Sequence, residues 1–262
     1  MEIFKEDLIA ALGLGPKEHL AVVGGGGKTT LCFALAKALR LAGARVVSTT
    51  TTKVWAEEAH AFPRLVLCPG GGSGLEAVKK GLDEAGNVFV GRGLLENGKV
   101  EGIPWTMADD LFREPWVEYV IIEADGAAGR PVKAPAAHEP VIPESVTLVI
   151  AVMGLGALGK PLGPDIVFRT ALFKELTGLD EGDILNPEGL AKAFDKQAGL
   201  FKNAPVSARK IVLLNQLDVL TDDGAARDLA QCLTAVHPSI ERVVLGSFRK
   251  KEFIVIRPER DG

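Results

Sequence analysis

The chain has 262 residues, of which 47% are hydrophobic and 24% charged, the composition of a folded globular protein and not of a disordered one. Thirty Lys and Arg face 34 Asp and Glu, a net charge of -4, which argues against a general nucleic-acid binder, because phosphate contacts need concentrated basic side chains. No apolar run reaches the roughly 18 residues that span a bilayer, the opening MEIFKEDLIAALG is acidic and lacks a basic leader region, and Cys32, Cys68 and Cys232 are too far apart for a disulfide framework or zinc spacing, so the expectation is a cytoplasmic protein with no membrane partner.

In chain order, residues 3–12 carry a short amphipathic helical pattern that stops at Gly13, Gly15 and Pro16. His19 to Val23 is an apolar run ending in glycines, the pattern of a buried strand. From Thr29 to Ala42, Leu31, Leu35, Ala38 and Leu39 share one helical face, with Gly43 at the stop. A second strand starts over Arg45 to Ser48. Further strands are predicted at Leu65–Cys68, Val88–Gly91, Val117–Glu123, Val146–Met153, Lys210–Leu214, Val243–Leu245 and Phe253–Ile256, and helices over 74–84, 106–113, 168–177, 187–198 and 222–236. β-branched runs alternating with helical stretches imply βαβ units and a mostly parallel sheet covered on both faces. Near 92–103, Asn97-Gly98 between two short runs predicts a hairpin whose turn needs φ > 0 twice. The resulting expectation is an α/β, three-layer fold with a mostly parallel sheet and that small β-hairpin insertion, residues 1–262 forming a single domain.

Val22-Val23-Gly24-Gly25-Gly26-Gly27-Lys28-Thr29-Thr30 follows a strand and opens a helix, the context that gives a phosphate loop its meaning. The glycines allow backbone N–H groups to turn toward phosphate oxygens, and the helix adds its free amides and positive dipole end. Lys28 is expected on the β- and γ-phosphates, Thr29 on Mg²⁺ and Thr30 near the α-phosphate. The usual spacing would place its first glycine at position 22, which is Val22. This shorter Gly24-x-x-Gly27-Lys28-Thr29 loop resembles that of Mur-type ligases.

A metal-bound triphosphate needs carboxylates at the end of a neighbouring strand. Tyr119 to Gly126 supplies Glu123 and Asp125; Asp125 is the favoured metal-associated acid and Glu123 the base or second metal contact. Thr51 or Thr52, in Ser48-Thr49-Thr50-Thr51-Thr52-Lys53, is a candidate sensor of Mg²⁺ and the γ-phosphate. Arg130 is a candidate guanidinium for the γ-phosphate. Asn215-Gln216-Leu217-Asp218 looks like a guanine-reading motif with glutamine in place of lysine, so GTP is the lean and ATP stays open. Gly154-Leu155-Gly156-Ala157-Leu158-Gly159 matches a dinucleotide fingerprint in letters, but Pro161 and Pro164 follow where a helix would have to run. His138, in the proline-rich segment beyond Asp125, is the one histidine with a candidate role.

Taken together, VVGGGGKTT at 22–30, STTTTKVW at 48–55, VIIEADGAAGRPVKAPAAHEPVIP at 120–143, MGLGALGKPL at 153–162 and LLNQLD at 213–218 resemble the YqeC family of selenium-dependent molybdenum hydroxylase accessory proteins. The family often carries a His-Arg pair downstream of the G-K-P-L segment; Phe168-Arg169 stands there in this chain, so that histidine's role does not transfer. The resemblance implies a P-loop NTPase, a nucleoside triphosphate hydrolase acting in the maturation or cofactor assembly of a selenium-dependent molybdenum hydroxylase, with that enzyme or its cofactor-assembly proteins as partner. The alternatives are a P-loop kinase or Mur-like ATP-dependent ligase on a small molecule, and a non-catalytic nucleotide switch.

Overall fold

A computed structural model describes residues 2–70 and 74–258; Gly71 and Gly72 of the second glycine cluster lie outside the described residues. The chain opens with β1 (Glu2–Glu6), α1 (Leu8–Ala11), β2 (Glu18–Gly24), α2 (Lys28–Leu41) and β3 (Val46–Thr50). There follow β4 (Lys53–Trp55), α3 (Ala56–His60), β5 (Leu65–Leu67), α4 (Gly74–Ala85), β6 (Asn87–Gly91), β7 (Gly93–Leu94), β8 (Lys99–Glu101), α5 (Trp105–Arg113) and β9 (Tyr119–Glu123). The second half adds β10 (Val132–Lys133), β11 (Leu148–Gly154), β12 (Val167–Phe168), α6 (Thr170–Thr177), α7 (Pro187–Lys192), β13 (Arg209–Asn215), α8 (Gly224–Val236), β14 (Ile240–Ser247) and β15 (Glu252–Arg257).

Ten strands form one sheet in the order β1-β15-β14-β13-β11-β2-β9-β3-β6-β5. From β14 to β5 every pairing is parallel; β15 and β1 close one edge antiparallel. Central strands are buried on both faces, so they read as continuous apolar runs. Their side chains alternate between two cores. Leu20 and Val22 join Leu31, Leu35 and Leu39 of α2 on one face. Ala21 and Val23 join Val78, Leu111 and Leu229, from α4, α5 and α8, on the other. Helices therefore cover both faces of a mixed α/β, mostly parallel sheet. The parallel arrangement brings the C-terminal ends of β2, β9, β3 and β11 to one edge.

Three expectations are corrected. Residues 3–12 are not one helix: Glu2 to Glu6 pairs with β15, and Asp7 then accepts from Ala10 N at 2.9 Å to start the four-residue α1. A short apolar pattern does not separate helix from strand, and here the deciding partner lies at the other end of the chain. The 92–103 hairpin forms, but its turn differs. Gly98 has φ 77°, whereas Asn97 is not among the residues with positive φ. Gly98 N donates to Leu95 O and Leu95 N to Lys99 O, a three-residue loop with glycine at its left-handed position. The same hairpin pairs with β4 to make a separate three-stranded sheet. The helix predicted over 187–198 ends at Lys192. No helix among the described residues is long and apolar enough to cross a membrane.

Ile121, on central strand β9, has no exposed surface. Ile121→Ala is expected to lower unfolding stability by about 2–5 kcal/mol, read as a fall in the urea midpoint at constant slope.

Candidate functional site

β2 runs straight into the glycine loop, and the loop's backbone is dictated by its neighbours. Gly24 has φ 98°, and a Cβ there would lie 2.2 Å from Val152 O. At Gly26, with φ 75°, a Cβ would lie 2.3 Å from Gly154 N. Only glycine fits both positions. Gly154 thus packs against the phosphate loop, and Leu155–Ala157 beyond it is a single 3-10 turn. The G-x-G-x-x-G letters serve this close approach, and no helix follows to receive a pyrophosphate.

The loop's amides divide into two groups. Gly24 N donates to both oxygens of Asp125 at 3.1 Å. Gly25 N donates to Val152 O at 2.9 Å, and Gly26 N to Arg130 O at 3.0 Å. The first bond of the α2 ladder runs from Leu31 N to Gly27 O at 2.9 Å. The amides of Gly27, Lys28, Thr29 and Thr30 therefore precede the ladder, the free amides of a helix N-terminus.

Lys28 is the first residue of α2, buried, and its Nζ donates to Gly24 O at 2.7 Å. It lies 3.3 Å from Asp125 Oδ1 and 3.5 Å from Glu123 Oε1. Burial by itself would lower its pKa; Asp125 and Glu123 outweigh burial and hold it above the ordinary value. Glu123 ends β9. Burial raises its carboxyl, more than the Lys28 charge and the Thr29 hydrogen bond lower it. Thr29 Oγ1 donates to Glu123 Oε2 at 3.0 Å.

The two acids differ in their surroundings. Asp125 is fully enclosed, spent on Gly24 N, Lys28 and, at 3.0 Å, Lys133. It is an internal counter-ion and has no oxygen turned outward to a metal. Glu123 keeps some exposure and stands beside the Thr29 hydroxyl. A hydroxyl and a carboxylate are hard oxygen donors suited to Mg²⁺. No cluster of three or more His, Cys, Asp or Glu among the described residues is placed to hold a metal unaided. A cation at Thr29 and Glu123 would thus share the oxygens of a bound phosphate, which is the habit of Mg²⁺ in triphosphate sites.

Other candidates fall into place around this centre. Thr50 Oγ1 and Thr51 N both donate to Glu123 O, at 2.8 and 3.2 Å. Thr51 Oγ1 donates to Val141 O at 3.3 Å, and the Thr52 hydroxyl bonds that of Thr50 at 3.0 Å. The threonine run therefore ties β3 to β9 and to the 126–143 segment, and neither Thr51 nor Thr52 touches Thr29 here. Thr30 is exposed on the first turn of α2. Arg130 contributes its carbonyl to the loop while its guanidinium turns away, donating from Nε to Pro164 O at 2.7 Å. Asn215 Nδ2 donates to Gly26 O at 2.8 Å, so it braces the loop directly. Asp218 accepts from Ser247 Oγ at 2.7 Å, and that bond leads the causes holding its carboxyl below the usual range. His138 is exposed, and it is the adjacent Glu139 that faces inward.

Three residues that sequence reasoning missed extend the site. Lys133 is fully buried, and its ammonium reaches Asp125 Oδ2, Glu139 Oε2 at 2.7 Å and Gly126 O at 2.7 Å. Arg169 closes the series with a two-pronged bond to Glu139, its Nη2 2.9 Å from Oε1. Arg169 itself sits at φ 62°, ψ 58° at the start of α6. Charges thus alternate from Lys28 through Asp125, Lys133 and Glu139 to Arg169. The sequence signal was their place in the family-like stretches, Lys133 and Glu139 within 120–143 and Arg169 beside Phe168.

A family profile described as YqeC protein matches residues 20–171. Over 238 residues the chain is 34% identical to a protein of Escherichia coli (strain K12) described as uncharacterized protein YqeC, covering 91% of this chain and 90% of that one. The chain belongs to the YqeC family. Its match to the family spans the phosphate loop, Glu123, Asp125 and the alternating charges as far as Arg169. Among solved structures, chloroplast FtsY from Physcomitrella patens resembles this YqeC chain at a TM-score of 0.42 and 15% identity, over 92% of this chain and 62% of the FtsY chain.

Burial raises the Glu139 carboxyl, but hydrogen bonds from Arg169 and Lys133 and their charges outweigh it and bring its pKa from 4.5 to about 2. A depressed folded-state pKa contributes stability above the unfolded value that disappears as pH falls through the folded one. Glu139→Gln is therefore expected to destabilise the protein at pH 7 by on the order of 3 kcal/mol. It should also flatten the loss of stability between pH 4.5 and about 2. Urea melts across that range, wild type against variant, check both.

Proposed function

We propose that this YqeC protein binds a Mg²⁺-nucleoside triphosphate at Gly24–Thr30 and hydrolyses its β–γ bond, with residues 1–262 acting as one nucleotide-binding unit. The observation that supports this most directly is the placement of Lys28: a buried ammonium at the mouth of four first-turn amides, with Thr29 and Glu123 beside it. Lys28 leaves Gly24 O for the β- and γ-phosphates, and the amides of Gly27 to Thr30 hold the remaining oxygens. Thr29 and Glu123 are the residues that would hold Mg²⁺, which when bound neutralises charge on the β- and γ-oxygens. As a holder of that cation, Glu123 would also orient the attacking water beside it. Asp125 keeps Lys28 charged and anchors Gly24, a positioning role. Asn215 and the ionised Asp218, set by Ser247, favour a guanine base that offers two N–H donors to one carboxylate. Within the family context, turnover serves maturation or cofactor assembly of a selenium-dependent molybdenum hydroxylase in the cytoplasm.

A nucleotide switch is the second reading. It is favoured by the bonds that tie Thr51 to both Glu123 and Val141, since the same segments would then report phosphate occupancy.

Purified protein incubated with Mg²⁺ and either ATP or GTP separates these readings. Lys28→Ala is expected to weaken triphosphate binding at least roughly tenfold, by loss of a charge-assisted contact, with the fold intact by circular dichroism. Binding equal to wild type would remove Lys28 from the site. Phosphate release without a second substrate supports hydrolysis over transfer or ligation; tight binding without cleavage, even in single turnover, supports the switch.

A further inference from the structure

At the end of β13 away from the phosphate loop, three segments border a cleft of about 520 Å³: the stretch after α7, the start of β13 and the turn between α8 and β14. That volume accommodates a small organic molecule. Phe194 and Phe201 line it and are buried, with ring centroids 6.2 Å apart. Val236 lines it too and is exposed.

Two lysines, Lys196 and Lys210, line the same cleft. Lys210 is half-buried at the start of β13, and its Nζ donates to Ala208 O at 3.4 Å, a weak bond. Burial, and then the charge of Lys196, lower its pKa. The two ammonium groups thus repel one another, and neither forms an ion pair among the described residues. Asp195, the acid among the lining residues, is turned to the backbone: its Oδ1 accepts from Gln197 N at 2.7 Å and Ala198 N at 2.8 Å. His237 is held by its Nε2, which donates to Ala191 O at 2.9 Å. Unpaired like charges beside apolar rings cost free energy, and a bound anion removes that cost. Two cations favour a doubly charged group over a singly charged one, and ammonium ions take phosphate as point charges. The neighbouring rings favour an apolar body attached to that group.

We propose that this cleft is a second ligand site, for a small phosphate monoester with an apolar ring or chain. Lys196 and Lys210 hold the phosphate, and Phe194, Phe201 and Val236 hold the apolar body. The site is independent of the nucleotide reading. It lies at the opposite end of β13 from Asn215, the residue that braces the glycine loop.

The probe is phenyl phosphate, titrated into the ¹⁵N-labelled full chain and followed by amide chemical shifts. Benzoate offers the ring with a single charge, inorganic phosphate the anion without a ring, and a short poly-glutamate peptide an acidic chain. Phenyl phosphate is expected to saturate shifts within 194–206, at Lys210 and within 236–239. Its affinity should exceed that of benzoate and of inorganic phosphate at least roughly tenfold. Lys196→Ala and Lys210→Ala, made separately, should each weaken it about five- to tenfold. Shifts confined to 24–30, or no saturation by roughly 10 mM, overturn the assignment. Equal binding of inorganic phosphate overturns it by marking an adventitious ion only. Benzoate or the peptide binding as tightly as phenyl phosphate overturns the ligand class. Should Lys210→Ala fail to fold, unchanged affinity in Lys196→Ala, at an exposed position, overturns the assignment equally.

Discussion

The structure at this edge of the sheet depends on keeping the Lys28 ammonium charged inside the protein. A buried cation is stable only when it is paired and hydrogen-bonded. Asp125 and Glu123 supply the pairing and Gly24 O the bond. Asp125 is itself fully buried and is shared with Lys133; Lys133 is shared with Glu139, and Glu139 with Arg169. The set balances at three cations and three anions. Each member is paired with a neighbour of opposite sign, so removing any one leaves an uncompensated charge behind.

This electrostatic series also organises the chain. It runs from the loop after β2, through the loop after β9, to the segment before α6, and so binds three parts of the sequence that share no local structure. Backbone contacts reinforce the same union. Gly24 lies against Val152, Gly26 against Gly154, and Arg130 O accepts from Gly26 N. The glycine loop is therefore held from three sides before any ligand arrives. Preorganised donors of this kind need little rearrangement when negative charge is placed among them.

A division of labour between the two acids follows. Asp125 is sealed, whereas Glu123 is partly exposed and stands beside the Thr29 hydroxyl. The two stand only two residues apart at the end of one buried run. Their difference arises because the chain leaves the sheet after Glu123 and turns Asp125 inward, under the amide of Gly24. Asn215 shows the complementary case: a residue read as base-specific also braces the loop through Gly26 O.

What was legible in the sequence was local. The apolar run, glycines, Lys28-Thr29-Thr30 and amphipathic α2 are contiguous, and hydrophobic period and turn chemistry report such units directly; the alternation of strands and helices likewise indicated a mostly parallel sheet. Lys133, Glu139 and Arg169 lie in the family-like stretches, but their burial and pairing carried no local signal, since a buried lysine and a solvated one look alike in sequence. The opening segment was misread for the same reason: its edge pairing with β15 joins residues about 250 positions apart. Sequence by itself determined the elements and the phosphate-loop turn, because those follow from neighbours along the chain. Only the tertiary structure decided which charges are buried together and which acid keeps some exposure, because burial and pairing are set by residues that meet only when the sheet is assembled.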